Sequence, residues 1–454
     1  MSGYLIRGAA AIMTGLPGVA ARAAGPDIRI ADGHVEAIGA LEPRPGERVL
    51  DASGCAVYPG WVNTHHHLAQ CVLKGVPAGI NLPLMQWLDA VPYRYRYRFD
   101  EDLLRTAAEI GIAELMLSGV TTVADHHYVY WPGIGYDPAA VLFDAAGRLG
   151  VRFVLCRGGA TVPRDFEARD PRAPKPETLD GIVRDVARLV EAFHDPGPEA
   201  MRRVALAPST PTWSVRPDEL NVLARAAREL GIRRHSHLSE TADYVRYCRE
   251  VHGMLPVQFV AEHDWLGPDV WFAHMVHLAD EEIGLVADSG TGIAHCPASN
   301  CRLGSGIARA PELAARGAPV SLGVDGAASN ESSDMIAEAH LAWYVHRARG
   351  GAGAVTVEDV VHWGTHGGAA VLGIGRIGVL APGYCADLAV YDLDDVSYAG
   401  LHDVAIGPVA AGGRPALKWL MVGGEIRVED DAIVGVELPA LIARAREAVR
   451  KLAA

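Results

Sequence analysis

Between about residue 57 and residue 376 the chain repeats one unit, a short β-rich apolar run followed by an amphipathic helical stretch. The runs are "AVYPGWVNTHHH", "GVTTVADHH", "GVRFVLCRG", "RRVALAPS", "IRRHSHLSE", "DVWFAHM", "TGIAHCPAS" and "APVSLGVDG". Helical patterns such as "EDLLRTAAEIGIAELMLS" and "PDELNVLARAAREL" separate them. Eight strands alternating with helices place the chain in the α/β class and predict a (β/α)8 TIM-type barrel, although a doubly wound sheet shares the alternation. The polar residues favour the barrel. Strand after strand ends in His, Asp or Glu, and a barrel gathers the carboxyl ends of all its strands around one mouth.

Two long connections fall on that same side, "CVLKGVPAGINLPLMQWLDAVPYRYRYRF" after strand one and "GATVPRDFEARDPRAPKPE" after strand three. Loops of that length usually serve as lids or binding segments. "YRYRYRF" resembles a stacking platform for nucleic acid. With 41 basic against 55 acidic residues and a net charge of -14, however, it reads as a solvated or interface segment. The same balance argues against nucleic acid or an anionic membrane surface as a partner and favours a small, weakly charged substrate.

The two ends read as short strands with turns, "DIRIADGHVEAIGAL" and "ERVLDASGC" before the barrel, "GVLAPGYCADLAVYDLD" and "WLMVGGEIRVEDDAIVG" after it. They predict one small β-sandwich built from residues 1–58 and 377–436, around a catalytic barrel at 59–376, with an amphipathic helix over 437–454. At 50% hydrophobic and 21% charged, the 454 residues suffice for a large core. Seven cysteines, an odd number, do not form the framework of a secreted domain and point to the reducing cytoplasm. The amino terminus is not read as a signal peptide, because Gly15, Pro17 and Gly18 interrupt its apolar stretch. No other run reaches the ~18 apolar residues of a membrane span.

In "PGWVNTHHHLAQ", alternation along a strand puts His65 and His67 on one face and His66 on the other. A His-x-His pair on one face suits a transition metal. "HSHLSE" repeats the arrangement with His235 and His237, followed by Glu240, and His274, His295 and Asp325 end the next three strands. Each alone has an ordinary reading as a cap or a hydrogen-bonded core group. Their joint placement at strand ends points to a site.

The ordered motifs "PGWVNTHHH", "HSHLSE", "AHMVHL", "HCPASN" and "GVDGAASN" resemble the amidohydrolase superfamily, in its branch of nucleobase, pterin and triazine aminohydrolases. The resemblance covers nearly the whole chain. It implies that His65, His67, His237 and Asp325 hold one divalent metal, zinc or alternatively iron, with His66 facing away. It further implies that His274 hydrogen-bonds a water there, that Glu240 exchanges a proton with the substrate ring, that Asp325 accepts and returns the water proton, and that Gln70 touches substrate. Two-metal relatives carry a lysine at the end of strand four. "VALAPSTPTW" has none, so one metal is expected.

Tyr128 with His127 and Trp131 after strand two, Trp213 after strand four and Arg302 after strand seven suit a planar, carbonyl-bearing bicyclic substrate. "NTHHHLAQ", "ADHHYVY", "CRLGSGIA" and "LHDVAIGPVAAGGRP" resemble isoxanthopterin deaminases first and 8-oxoguanine deaminases next. The expected reaction converts isoxanthopterin to 7-oxolumazine and ammonia. The alternatives are 8-oxoguanine or guanine deamination, triazine hydrolysis, and a catalytically silent metal-binding barrel. Guanine is disfavoured because the Arg-Phe segment of guanine deaminases has no counterpart. The cytidine-deaminase pattern fails too, because "HVE" lacks its Pro-Cys-x-x-Cys. A homodimer or larger homo-oligomer is expected.

Overall fold

The structure, a computed structural model, describes residues 3–171 and 173–453. Eight parallel strands pair in chain order: β1 (Trp61–Asn63), β2 (Val120–His127), β3 (Arg152–Gly159), β4 (Arg202–Pro208), β5 (Arg233–Leu238), β6 (Val270–His274), β7 (Gly292–His295) and β8 (Val320–Leu322). The first and last strands close on each other. The Thr64 amide donates to the Leu322 carbonyl at 3.1 Å and the Asp325 amide to the His65 carbonyl at 3.0 Å. The result is a (β/α)8 barrel with no open edge. β2 and β3 are buried along their whole length, as strands covered by core on one face and helices on the other must be.

The helices between them start and stop on local signals. The Asp137 side chain accepts from the amides of Ala139 and Ala140 at the start of Pro138–Leu149, and Gly150, at φ +77°, ends that helix. Inside the barrel, Val62, Ala124, Val154, Ala205, Trp271, Ala273 and Ala294 pack with Val371, Leu372 and Ile374 into one apolar cluster. The interior is therefore filled, and chemistry is confined to the mouth.

Both termini build two further sheets. A four-stranded one holds His34–Gly39, Asp27–Ala31, Tyr4–Arg7 and Arg48–Asp51. A six-stranded one holds Ala432–Ile433, Glu425–Glu429, Leu417–Val422, Leu388–Asp392, Cys55–Pro59 and Ala11–Ile12. They share a separate core of Ile6, Ile28, Leu50, Val57, Leu388, Val390 and Met421. The run read from sequence as one strand, "AVYPGWVNTHHH", is in fact two. Cys55–Pro59 pairs with Leu388–Asp392 and β1 enters the barrel, with the break at Gly60, where a side chain would overlap Thr121.

The two units are joined by a buried ion pair, Arg152 of β3 donating from Nε at 2.8 Å and from Nη2 at 3.0 Å to the Asp387 carboxylate. The helix Leu438–Ala453 lies against Glu101–Leu117, with Arg444 paired to Glu109. Among the described residues no helix is long and apolar enough to cross a membrane.

Candidate active site and metal centre

The three histidines follow β1 and are held from below. The Asp125 carboxylate of β2 accepts from the Leu68 amide at 2.7 Å, and the His126 amide donates to the His66 carbonyl at 2.7 Å. This path turns His65 and His67 into the mouth and His66 out of it, its Nε2 lying 3.1 Å from Ser333 Oγ. His66 is also the residue that bridges to Asp325 on the closing seam.

The hydrogen bonds fix where the protons sit. A carbonyl only accepts, so His67 Nδ1–H, donating to the His126 carbonyl at 2.6 Å, leaves a lone pair on its Nε2. His237 Nδ1–H donates to the Ser209 carbonyl at 2.6 Å, with the same consequence. The relay behind His65 has one more link. His235 Nδ1–H donates to the Trp271 carbonyl at 3.0 Å, so His235 Nε2 accepts from His65 Nδ1–H at 2.8 Å. His65 Nε2 is then a lone pair too, buried and without a hydrogen-bond partner.

These lone pairs converge. His67 Nε2 and His237 Nε2 are 3.2 Å apart, and His65 Nε2 and His67 Nε2 each lie 3.4 Å from Asp325 Oδ1. Two imidazole lone pairs at that separation repel unless a cation sits between them. Burial holds His67 down to about 4 and His237 well below the usual histidine range, so both are the neutral rings that ligation requires. Burial works to raise Asp325, yet its place against His65, His274 and His67 holds it well below the usual carboxylate range. Three neutral nitrogens, each oriented through its other nitrogen, plus one carboxylate oxygen fit a divalent transition metal.

Beside this cluster stand further titratable groups. Burial raises Glu240 to about 7, against the lowering effect of His274. His274 Nδ1–H donates to Asn300 Oδ1 at 2.9 Å, which turns its Nε2 between Glu240, at 3.7 Å, and Asp325, at 3.9 Å. Asp325 Oδ2 accepts from Ser299 Oγ at 2.6 Å. His274, Met275 and Asp325 are non-glycine residues at positive φ (+73°, +45° and +63°). Such strain costs of order 1–3 kcal/mol per residue and persists only where surroundings impose it, here the bonds of Met275 to Leu238 and of Asp325 to His65.

A cavity of about 610 Å³, its open mouth included, contains these groups together with Gln70, Tyr93, Tyr128, Arg164 and Trp213. That size is ordinary for a small-molecule site. Tyr128 stacks on Tyr93 with centroids 5.9 Å apart, and its hydroxyl accepts from Gln70 Nε2 at 3.0 Å. Gln70 Oε1 stays buried and unpartnered, and at Gly326 a Cβ would overlap it.

Four sequence expectations change. Arg302 lies outside the wall, its guanidinium donating to Glu331 at 2.9 Å and to the Gly79 carbonyl at 3.2 Å. His126 lines the cavity, whereas His127 packs against Tyr130 beneath it and Trp131 lines a separate cleft. His295 pairs with His346 at 3.0 Å away from the mouth. Tyr93, from the segment read as solvated or interfacial, is a cavity wall. Arg164, also in the wall, lies in the loop after β3 that reads as a lid or binding segment, but an aperiodic loop does not mark which of its side chains turns inward.

Residues 56–427 match the Amidohydrolase family. The chain is 54% identical to an isoxanthopterin deaminase from an unknown prokaryotic organism, over 99% of this chain and 97% of that one. It is 40% identical to the 8-oxoguanine deaminase of Pseudomonas aeruginosa over 94% of each. The crystal structure of an amidohydrolase from an environmental sample of the Sargasso Sea superposes with a TM-score of 0.88 at 51% identity, over 99% of this chain and 98% of that one. Barrel, converging histidines and likeness along the full length agree, and this chain belongs to the amidohydrolase family, whose hydrolytic chemistry on C–N bonds it shares.

Proposed function

We propose that the protein is a zinc-dependent pterin aminohydrolase that converts isoxanthopterin and water to 7-oxolumazine and ammonia. The observation that carries this reading is the set of imidazole lone pairs facing Asp325 beside a buried, protonatable Glu240 in an aromatic cavity. The likeness to an isoxanthopterin deaminase supports the choice of ring. His65, His67, His237 and Asp325 would hold the ion. A divalent cation there supplies Lewis acidity and makes water nucleophilic near neutral pH.

The protein groups account for the protons. Asp325 takes one from the attacking water as the C–O bond forms. Glu240 gives its proton to the ring nitrogen beside the amino-bearing carbon, which makes that carbon electrophilic. Asp325 then protonates the amine, and the C–N bond breaks with loss of ammonia. The remaining hydroxyl proton returns to Glu240, which leaves a ring N–H and a carbonyl. His274, between the two carboxylates, orients the water and stabilises charge as it moves.

A second reading, 8-oxoguanine deamination, is favoured by the 40% relative and uses the same groups. Ammonia release with kcat/KM for isoxanthopterin, pterin, 8-oxoguanine and guanine separates the two. Isoxanthopterin should lead; a clear lead for 8-oxoguanine replaces the substrate, and no release from any of the four refutes the proposal.

A further inference from the structure

We infer that Arg164, from the loop after β3, is the specificity residue that reads a carbonyl oxygen on the second ring of the substrate. The inference rests on the bicyclic-heterocycle reading above and assigns a role that Arg302, committed to Glu331, is not placed to take.

The argument starts from unmet hydrogen-bonding capacity. Arg164 lines the catalytic cavity, and its Nε is buried with no hydrogen-bond partner. Its Nη2 donates to Thr210 Oγ1 at 3.3 Å, a long bond to a hydroxyl that already lies 2.6 Å from Ser214 Oγ. Among the described residues no carboxylate lies within ion-pair distance of it. The buried arginines of the scaffold are treated differently: Arg152 is paired with Asp387, and Arg157 with Glu177 at 2.6 Å and Asp185 at 2.9 Å. Arg164 is half-buried rather than fully buried, but its Nε–H is cut off from water, and a buried donor without an acceptor is costly unless something completes it.

The position suits a substrate oxygen. The Arg164 guanidinium lies over the Trp213 ring, 4.4 Å from its centroid, which fixes the plane of its donor fork. Trp213 in turn packs on Tyr244 at 4.5 Å. A flat ring system held between these walls, with its amidine carbon at Glu240 and Asp325, presents the edge of its other ring to this fork. Planar donors of fixed direction suit a lactam oxygen, and an arginine hydrogen bond is of the stronger, charge-assisted kind.

The test uses two substrate pairs that share the reacting ring and differ in the oxygen of the second: isoxanthopterin against pterin, and 8-oxoguanine against guanine. Wild-type protein should prefer the oxygenated member by about 10²-fold or more in kcat/KM, because a buried donor left without its acceptor penalises the other. Arg164→Gln should lower kcat/KM for the oxygenated members by about 10- to 100-fold, mainly through KM, and change the others less than about threefold. Arg164→Lys, which keeps the charge and loses the planar fork, should fall between. Metal content and circular dichroism check that the variants are folded. Equal loss across all four substrates would make Arg164 a scaffold residue and overturn the inference, as would an unchanged preference in Arg164→Gln. A preference that collapses in Arg302→Gln instead also overturns it. Wild-type protein that releases ammonia from none of the four is a failure of the functional reading itself, visible before any variant is made.

Discussion

His235→Leu tests the relay that aims His65, the first of the proposed metal ligands. The substitution places an apolar side chain of similar reach against Trp271, whose ring stacks on His235 at 4.5 Å, and removes the acceptor of His65 Nδ1–H. His65 is fully buried, so water does not replace the lost partner. Two costs follow. The ring loses its orientation, which for groups behind a metal ligand typically lowers affinity 10- to 100-fold, or about 1.4–2.7 kcal/mol. The unpaired N–H lowers stability by roughly 1–3 kcal/mol. Competition for zinc with a chromophoric chelator gives the affinity, and thermal unfolding of apo and zinc-loaded protein gives the stability. The expected result is a weakened Kd and a zinc-induced rise in Tm smaller than in wild type. A Kd within threefold of wild type refutes the relay, even if the variant is less stable.

Other perturbations reach the remaining parts. His65→Ala should abolish metal binding while His66→Ala retains it, read by metal analysis after dialysis; equal loss in both contradicts the placement of His66 against Ser333. Burial pushes Glu240, the proposed acid, up to about 7, so its protonated form is present below that pH and lost as pH rises through it; kcat/KM should fall on the alkaline side. Glu240→Gln should reduce turnover at least ~10²-fold and remove that limb, and a variant that keeps the limb assigns it to another group. Asp387→Ala leaves the Arg152 charge buried, at 2% exposure, and should destabilise the chain by roughly 3–5 kcal/mol, seen as an earlier denaturation midpoint. An unshifted midpoint would show that Arg152 finds other partners.

What was legible in the sequence is what local periodicity carries. The strand–helix alternation carries the barrel, and two-residue alternation separates His65 and His67 from His66, although the three lie beyond β1 and their turn comes from bonds to β2 and Ser333. The failures share a cause, which is dependence on partners distant in the chain. Arg302 was read as a substrate group because nothing near it marks Glu331 or the Gly79 carbonyl as its acceptors. His295 has the same strand-end position as His274, yet its partner is His346 on a later helix. "AVYPGWVNTHHH" is one apolar run in which only Pro59 and Gly60 mark the passage from one sheet to another, and pairing with Leu388–Asp392 settles it. Tyr93 and Arg164 lie in long loops, where pattern says nothing about which side chain the fold turns inward. The tautomer relay through His235 needs the Trp271 carbonyl, which only the barrel supplies.

The central claim is that one ion held by His65, His67, His237 and Asp325 makes this barrel a deaminase. The most direct measurement is metal content together with ammonia release from isoxanthopterin, on the same preparation as purified, after chelation and after restoring zinc. About one equivalent per chain, activity lost with the metal and recovered with it, is the predicted result. Metal-free protein that releases ammonia at the full rate would contradict it.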